Sequence, residues 1–281
     1  MKKILSTILL CTAIWIGNAQ VTTPAASVHE TSKTTVGLTE VSLDYSRPSK
    51  RDRVIFGNVV PYGELWRTGA NANTTIQFSD DVKIDGQKVK AGKYAIFTIP
   101  AEDHWEVFFY NETGNWGNQV EWNNKKIAAK ATVKAHALKT TQETFSISID
   151  NITSDSAMLT FAWDDVMTAV KFEVPTDSKA MASIEETMGA ASPKAQDYLS
   201  AANYYYATDR DIKQAKEWID TGIEMLDNPA FYQLHAQALI HAKAGDKKSA
   251  MKIAKKSLEA SKKANDGAYV RMNEELIKQL K

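Results

Sequence analysis

The residues best suited to chemistry crowd into one stretch, 45–71, which reads YSRPSKRDRVIFGNVVPYGELWRTGAN. It holds Arg47, Arg51, Arg53 and Arg67 against only two acids, Asp52 and Glu64, with Trp66 and Asn71 beside them. A guanidinium is a planar fork that grips a carboxylate or phosphate through two parallel N–H bonds. Tryptophan faces stack on apolar ring surfaces while amides fix polar groups. The expected ligand-binding set is therefore Arg47, Arg53, Glu64, Trp66, Arg67, Asn71 and, from the turn NETGNWG at 111–117, Trp116. Its expected ligand is a saccharide or an anionic small molecule. Two other readings stay open. Glu64 could be the acid or base of a hydrolase or lyase acting on envelope glycans, although such chemistry needs a second carboxylate and only Glu112 offers itself. Alternatively, the arginines and Glu64 form a salt-bridged plug in a structural envelope component.

The stretch itself cannot be one strand or helix, because Pro48, Gly57, Pro61, Gly63 and Gly69 interrupt it. It reads as a long structured connection, a class of segment that is often functional. Around it the pattern is β. Val41, Leu43 and Tyr45 alternate with polar residues, as do residues 74–78. Residues 82–84 and 87–89 flank Asp85-Gly86, the dipeptide a tight two-residue hairpin turn requires. A continuous apolar run at 94–99, alternation at 105–109, and further runs at 133, 145–149, 158–163 and 166–174 bring the count to roughly ten short strands. An antiparallel sandwich over 20–176 is expected, after a flexible Thr/Ala/Pro-rich lead-in at 20–27.

After Pro175 the composition changes: six of the seven tryptophans lie before it, and Ala, Lys and Glu dominate after it. A bridging helix is expected within 177–190 and a helical-repeat domain over 191–281. Ser192-Pro193 and Asn228-Pro229 look like N-caps followed by proline at the first helical position, 36 residues apart (228 − 192). Asp211 to Ala215 aligns with Asp246 to Ala250 at a period of 35 (250 − 215). This resembles a degenerate tetratricopeptide repeat, whose stacked helical pairs present a concave face to a protein partner. A small helical bundle is the other reading. The lysines of 247–263 are expected on a solvated face.

Residues 1–19 carry Lys2 and Lys3, an apolar run over 4–16 and a small-residue end before Gln20, the pattern of a secretory signal peptide. Cleavage there would remove Cys11, the single cysteine, and with it any thiol or disulfide chemistry. The chain has 34 Lys+Arg and 34 Asp+Glu, so losing Lys2 and Lys3 leaves 32 − 34 = −2. That balance argues against a nucleic-acid binder. Periplasmic or extracellular location is expected, and no membrane span. Phosphate-binding glycine loops and the Gly-x-Ser-x-Gly elbow are absent, and the five histidines (His29, His104, His136, His235, His241) lack paired metal-ligand spacing. Neither a metal nor another cofactor is expected.

Four motifs, YSRP, VPYGELWRTGAN, AGKYAIFTIP and the trailing Asn111…Trp116-Gly117, resemble the domain of unknown function 2911 family of bacterial exported proteins. The resemblance spans roughly 25–174. It implies a signal-bearing envelope protein, in some members with helical repeats appended, and no established activity. Its polar motif positions fall on Arg47, Arg53, Glu64, Trp66, Arg67, Asn71 and Trp116. One departure is implied: many relatives carry an acid directly after Gly-Ala-Asn, where this chain has Ala72. An acid essential to catalysis would leave this member impaired, and one that tunes binding would change its ligand.

Overall fold

The computed structural model describes residues 23–117 and 121–281. The expected signal peptide and Cys11 lie outside the described residues. The chain divides into two compact units, one ending at Val174 and the other Pro175–Lys281.

The first unit is an antiparallel sandwich. One sheet has six strands: β1 (Ser27–Val36), β2 (Thr39–Pro48), β3 (Thr75–Phe78), then β6 (Gly92–Pro100), β7 (His104–Tyr110) and β8 (Ile127–Lys134), in that spatial order. The other orders β5 (Gln87–Val89), β4 (Val82–Ile84), β10 (Ser156–Glu173) and β9 (His136–Asp150). The β4–β5 turn is the expected one, with φ of +47° at Asp85 and +77° at Gly86. Inward residues of both sheets, among them Leu43, Ile76, Val107, Phe145, Phe161 and Trp163, form one core. Sheets about 10 Å apart need large side chains to fill the gap between them.

The continuous apolar run of β6 has a physical reason. Tyr94 and Ile96 face the main core, whereas Ala95 and Phe97 join Phe108 and Tyr110 in a second cluster on the other side of the sheet. Trp122 covers that outer cluster, stacked on Tyr110 at 4.5 Å and edge-on to Phe97 and Phe108 at 5.4 Å each. A strand buried on both faces does not alternate.

Three elements depart from the sequence reading. The pattern of SVHETSKTTV did not announce β1, because an edge strand needs little apolar surface. β9 runs for 15 residues although only its second half is apolar. The two runs expected at 158–163 and 166–174 are a single 18-residue strand, β10, whose register shifts around Asp164, where φ is +56°. A bulge of this kind bends a strand without ending it.

The second unit contains α1 (Thr176–Met188), α2 (Ala195–Ala207), α3 (Ile212–Glu224), α4 (Phe231–Lys243), α5 (Lys247–Lys263) and α6 (Gly267–Gln279). Its caps correct the sequence reading. Ser192 and Asn228 do not cap α2 and α4; the N-cap positions are Lys194 and Ala230, two residues later. There the cap N–H groups donate to side chains one turn ahead, Lys194 N to Asp197 Oδ2 and Ala230 N to Gln233 Oε1, both at 2.8 Å. Each proline therefore precedes the helix instead of opening it. The true side-chain caps are aspartates at the 35-residue period (246 − 211). Asp211 accepts from the N–H of Lys213 at 2.9 Å, and Asp246 from that of Ser249 at 3.1 Å. Asp266 does the same for α6. The α5 lysines are exposed, while Ala250, Ala254, Ser257 and Ser261 are buried.

Candidate functional site

Twenty-six residues (74 − 48) separate β2 from β3. With few ladder bonds available, this connection orders itself by local turns and by borrowing the edge of other elements. Residues 55–60 form a tight turn in which Gly57 N donates to Val60 O and Val60 N to Ile55 O, both at 2.9 Å. Trp66 and Thr98 exchange backbone bonds at 2.8 and 2.9 Å, and Gly63 N donates to Pro100 O. Thr68 Oγ1 donates to Thr98 Oγ1 at 3.0 Å, beneath the loop. At Gly69 only glycine fits: φ is +142°, and a Cβ would lie 2.9 Å from both Ser46 O and Thr74 Oγ1.

These turns enclose a cleft of about 310 Å³ beyond the end of the β1–β2 ladder, where the terminal pair Ser27 and Pro48 both line it. Its floor is aromatic. Trp66 stacks on Trp163 with centroids 5.8 Å apart and planes 19° from parallel, and meets Phe56, Trp105 and Phe145 edge-on. Its indole N–H donates to Gly69 O. Only 7% of Trp66 and 1% of Trp163 is exposed, so neither offers a free face for ring stacking.

The walls are cationic. Arg51, Arg53 and Arg67 line the cleft, and Glu64 is the one acid among the described lining residues. Arg53 is held by its own loop, Nε donating to Lys50 O at 2.9 Å and Nη2 to Ser49 O at 2.6 Å. Arg51 Nη2 donates to Ala26 O at 2.7 Å. A guanidinium has five donors, so both arginines are oriented with N–H groups to spare. Burial holds the Arg67 guanidinium below its ordinary pKa, because desolvation disfavours the charged form. The nearby cation Lys50 is already matched, by Asp164 at 3.0 Å.

The cleft gathers Arg53, Glu64, Trp66 and Arg67, and three other residues read from the sequence lie elsewhere. Arg47 is a structural clamp, with Nη1 on Glu30 Oε2 at 2.5 Å and Nε on Phe145 O at 2.9 Å. Asn71, in the left-handed region at φ +62°, donates from Nδ2 to Ser46 Oγ. Trp116 is tied by backbone, since Ala72 bridges to it and Gly117 N donates to Asn71 O, but the residue is 77% exposed and does not line the cleft. Arg51 and Trp163 were not in the expected set. Arg51 was visible as one of the four loop arginines; nothing in the sequence brings Trp163 to a loop some hundred residues earlier. Glu112, the guessed second carboxylate, pairs with Lys126 and does not line the cleft.

A family model described as protein of unknown function (DUF2911) matches residues 27–172, from the first residue of β1 into β10. The chain belongs to the DUF2911 family. The DUF2911 match covers 146 of 281 residues (172 − 27 + 1) and takes in the sandwich and the whole cleft-forming loop, but not the six helices. No similar protein was found among the curated proteins, and no similar structure among the solved ones. Among the described residues no group of three or more His, Cys, Asp or Glu could hold a metal ion, and no helix is long and apolar enough to cross a membrane.

Proposed function

We propose that the DUF2911 unit of this chain binds an anionic small molecule in the Arg51–Arg53–Arg67 cleft, and that it does so in the cell envelope or outside the cell. The observation that carries this reading is the charge imbalance: three guanidinium groups on the walls against Glu64. Pre-oriented arginines lose little freedom on gripping a carboxylate or phosphate. The buried floor favours an anion over a neutral sugar, because sugar stacking needs an open aromatic face. The helical unit, with aspartate caps at a tetratricopeptide-like spacing, is proposed as a docking module for a protein partner. Export rests on the composition of residues 1–19, and mass spectrometry of the secreted chain should give Gln20 as its first residue.

The test is a thermal-shift series with carboxylates, phosphate and neutral saccharides on wild type, Arg53→Ala and Arg67→Ala. A ligand at 100 times its Kd stabilises by about 2.7 kcal/mol. Stabilisation by anions alone, lost in variants that stay folded, supports the reading; stabilisation unchanged in both variants overturns it.

A structural role is the second reading, and one observation favours it: Arg47 and Arg53 already clamp backbone carbonyls. It expects large melting-temperature losses in arginine variants and no ligand response. Glycan hydrolysis or elimination would have to run on Glu64 alone among the described lining residues. Turnover that survives Glu64→Gln would remove it from consideration.

A further inference from the structure

The two sheets treat their outer edges differently. At β9, the edge away from β10 is satisfied by side chains of β2. Tyr45 Oη donates to Ile147 O at 3.1 Å and accepts from Ile147 N at 2.9 Å, while Arg47 Nε donates to Phe145 O. Lys50 N adds a bond to Glu143 O at 2.7 Å. β1 has no such cover. It is the end strand of its sheet, and all ten residues pair with β2 in unbroken register from Ser27 with Pro48 to Val36 with Thr39. Among the described residues nothing bonds to its outward N–H and C=O groups. The usual protections of an edge strand, proline, a bulge or a row of lysines, are missing. Its one lysine, Lys33, is paired with Glu40.

We propose that this outer edge accepts an extended peptide as a further antiparallel strand, with the peptide's C-terminal carboxylate seated among Arg51, Arg53 and Arg67. The proposal rests on the anion-binding reading of the cleft and names its ligand class. Direction is what joins the two features. Every neighbouring pair in the sheet is antiparallel. A strand added antiparallel to β1 ends beside Ser27, and Ser27 lines the cleft. Its terminal carboxylate then meets the guanidinium groups, which is the complementary charge. Main-chain bonds supply affinity in this mode, and side-chain contacts supply preference. Val28, one residue in from the cleft and 61% exposed, offers apolar contact to a side chain near the peptide's end. A second copy of this chain fits less well: pairing β1 with β1 antiparallel would bring the Gly37-Leu38 turn, not an anion, toward the cleft.

The experiment uses fluorescence anisotropy with the mature chain and a ten-residue peptide of Thr, Val and Lys, matching the length of β1 and labelled at its N-terminus. The free-acid peptide should bind, and its C-terminal amide about tenfold more weakly, the scale of one hydrogen bond to a charged group. Arg53→Ala should erase the difference between acid and amide. Peptides N-methylated at successive positions should alternate, since every second amide points at β1 and the rest point away. Equal binding of acid and amide, indifference to N-methylation, or no binding would each overturn the proposal. Acetate and phosphate are measured alongside by thermal shift. If they bind while the peptide fails, only the peptide proposal falls; if neither binds, the anion reading falls with it.

Discussion

The sandwich and the helical unit fill their interiors with side chains of different average size. Between the sheets stand Trp66, Trp105, Trp163, Phe145, Phe161 and Phe172, in edge-to-face, tilted and stacked ring contacts. Between the helices most of the fully enclosed positions are small or polar, Ala202, Ala215, Ala238, Ala250 and Ala254 with Ser257, Ser261 and Asn273, and Ile219 and Ile240 are the large ones among them. Helix axes pack about 8–10 Å apart, and they come closest where the side chains at the contact are small. The sandwich thus draws its cohesion from area, and the helical unit from fit and from buried hydrogen bonds. Phe231 O accepts from Ser257 Oγ at 2.7 Å, and His235 Nδ1 meets Asn273 Oδ1 at 2.9 Å. His241 meets Asp220 at 2.7 Å and Asp246 at 3.2 Å, joining α3, α4 and the cap of α5.

If area governs the sandwich, Trp66→Ala should cost about 3–5 kcal/mol, read as a lower denaturant midpoint of the sandwich transition. A loss under about 1 kcal/mol would mean that the aromatic cluster is not what holds that unit together. Fit predicts the reverse kind of sensitivity for the helices. Gly222 sits where a Cβ would come within 2.9 Å of Leu199 Cδ2 and 3.0 Å of Ala195 O. Gly222→Leu should therefore destabilise by about 1–3 kcal/mol through overpacking, in the helical transition alone. Asn273→Ala should cost about 1–3 kcal/mol, because it strands the buried His235; full compensation in His235→Leu/Asn273→Ala would show that the pair contributes specificity and not stability.

Acid should separate the units further. Burial alone would raise the Asp220 pKa, but hydrogen bonds from His241, Gln237 and Lys216 outweigh it and hold the carboxyl below its ordinary value. A depressed folded pKa gives stability that is present above the unfolded value, about 3.9, and is lost as pH falls through the folded one. Asp220→Asn should flatten that acid limb in the helical transition. The smallest effect is expected at Trp116→Ala, within about 0.5 kcal/mol, with the cleft's anion response unchanged. A loss of that response would move the site toward the 111–117 turn.

The sequence announced the large features for physical reasons. Asp85-Gly86 marks its turn through local backbone preference, and the Ala/Lys/Glu composition after Pro175 marks the helices. Elements held by position rather than by pattern were silent. β1 is polar because a single neighbour supports it. Ser-Pro and Asn-Pro look like caps, yet the caps come from Asp197 and Gln233 reaching back. At the site, the arginines were legible as charge, but the partner of each was not: Arg47 is claimed by Glu30 and Phe145 O, a pairing set by register. Trp66 was legible as an aromatic beside the arginines, but not that Trp163 would arrive from β10 to stack on it in the cleft floor.

That indole pair also makes the cleft observable by light alone. Two nearly parallel chromophores at 5.8 Å couple their electronic transitions, so the sandwich should carry a split circular-dichroism band that single tryptophans lack. Trp163→Phe should weaken the splitting, leaving Trp105, at 6.1 Å, as the indole neighbour of Trp66 beneath the arginines. A molecule entering above it would change its emission, and occupancy could be followed on the native chain with no label attached.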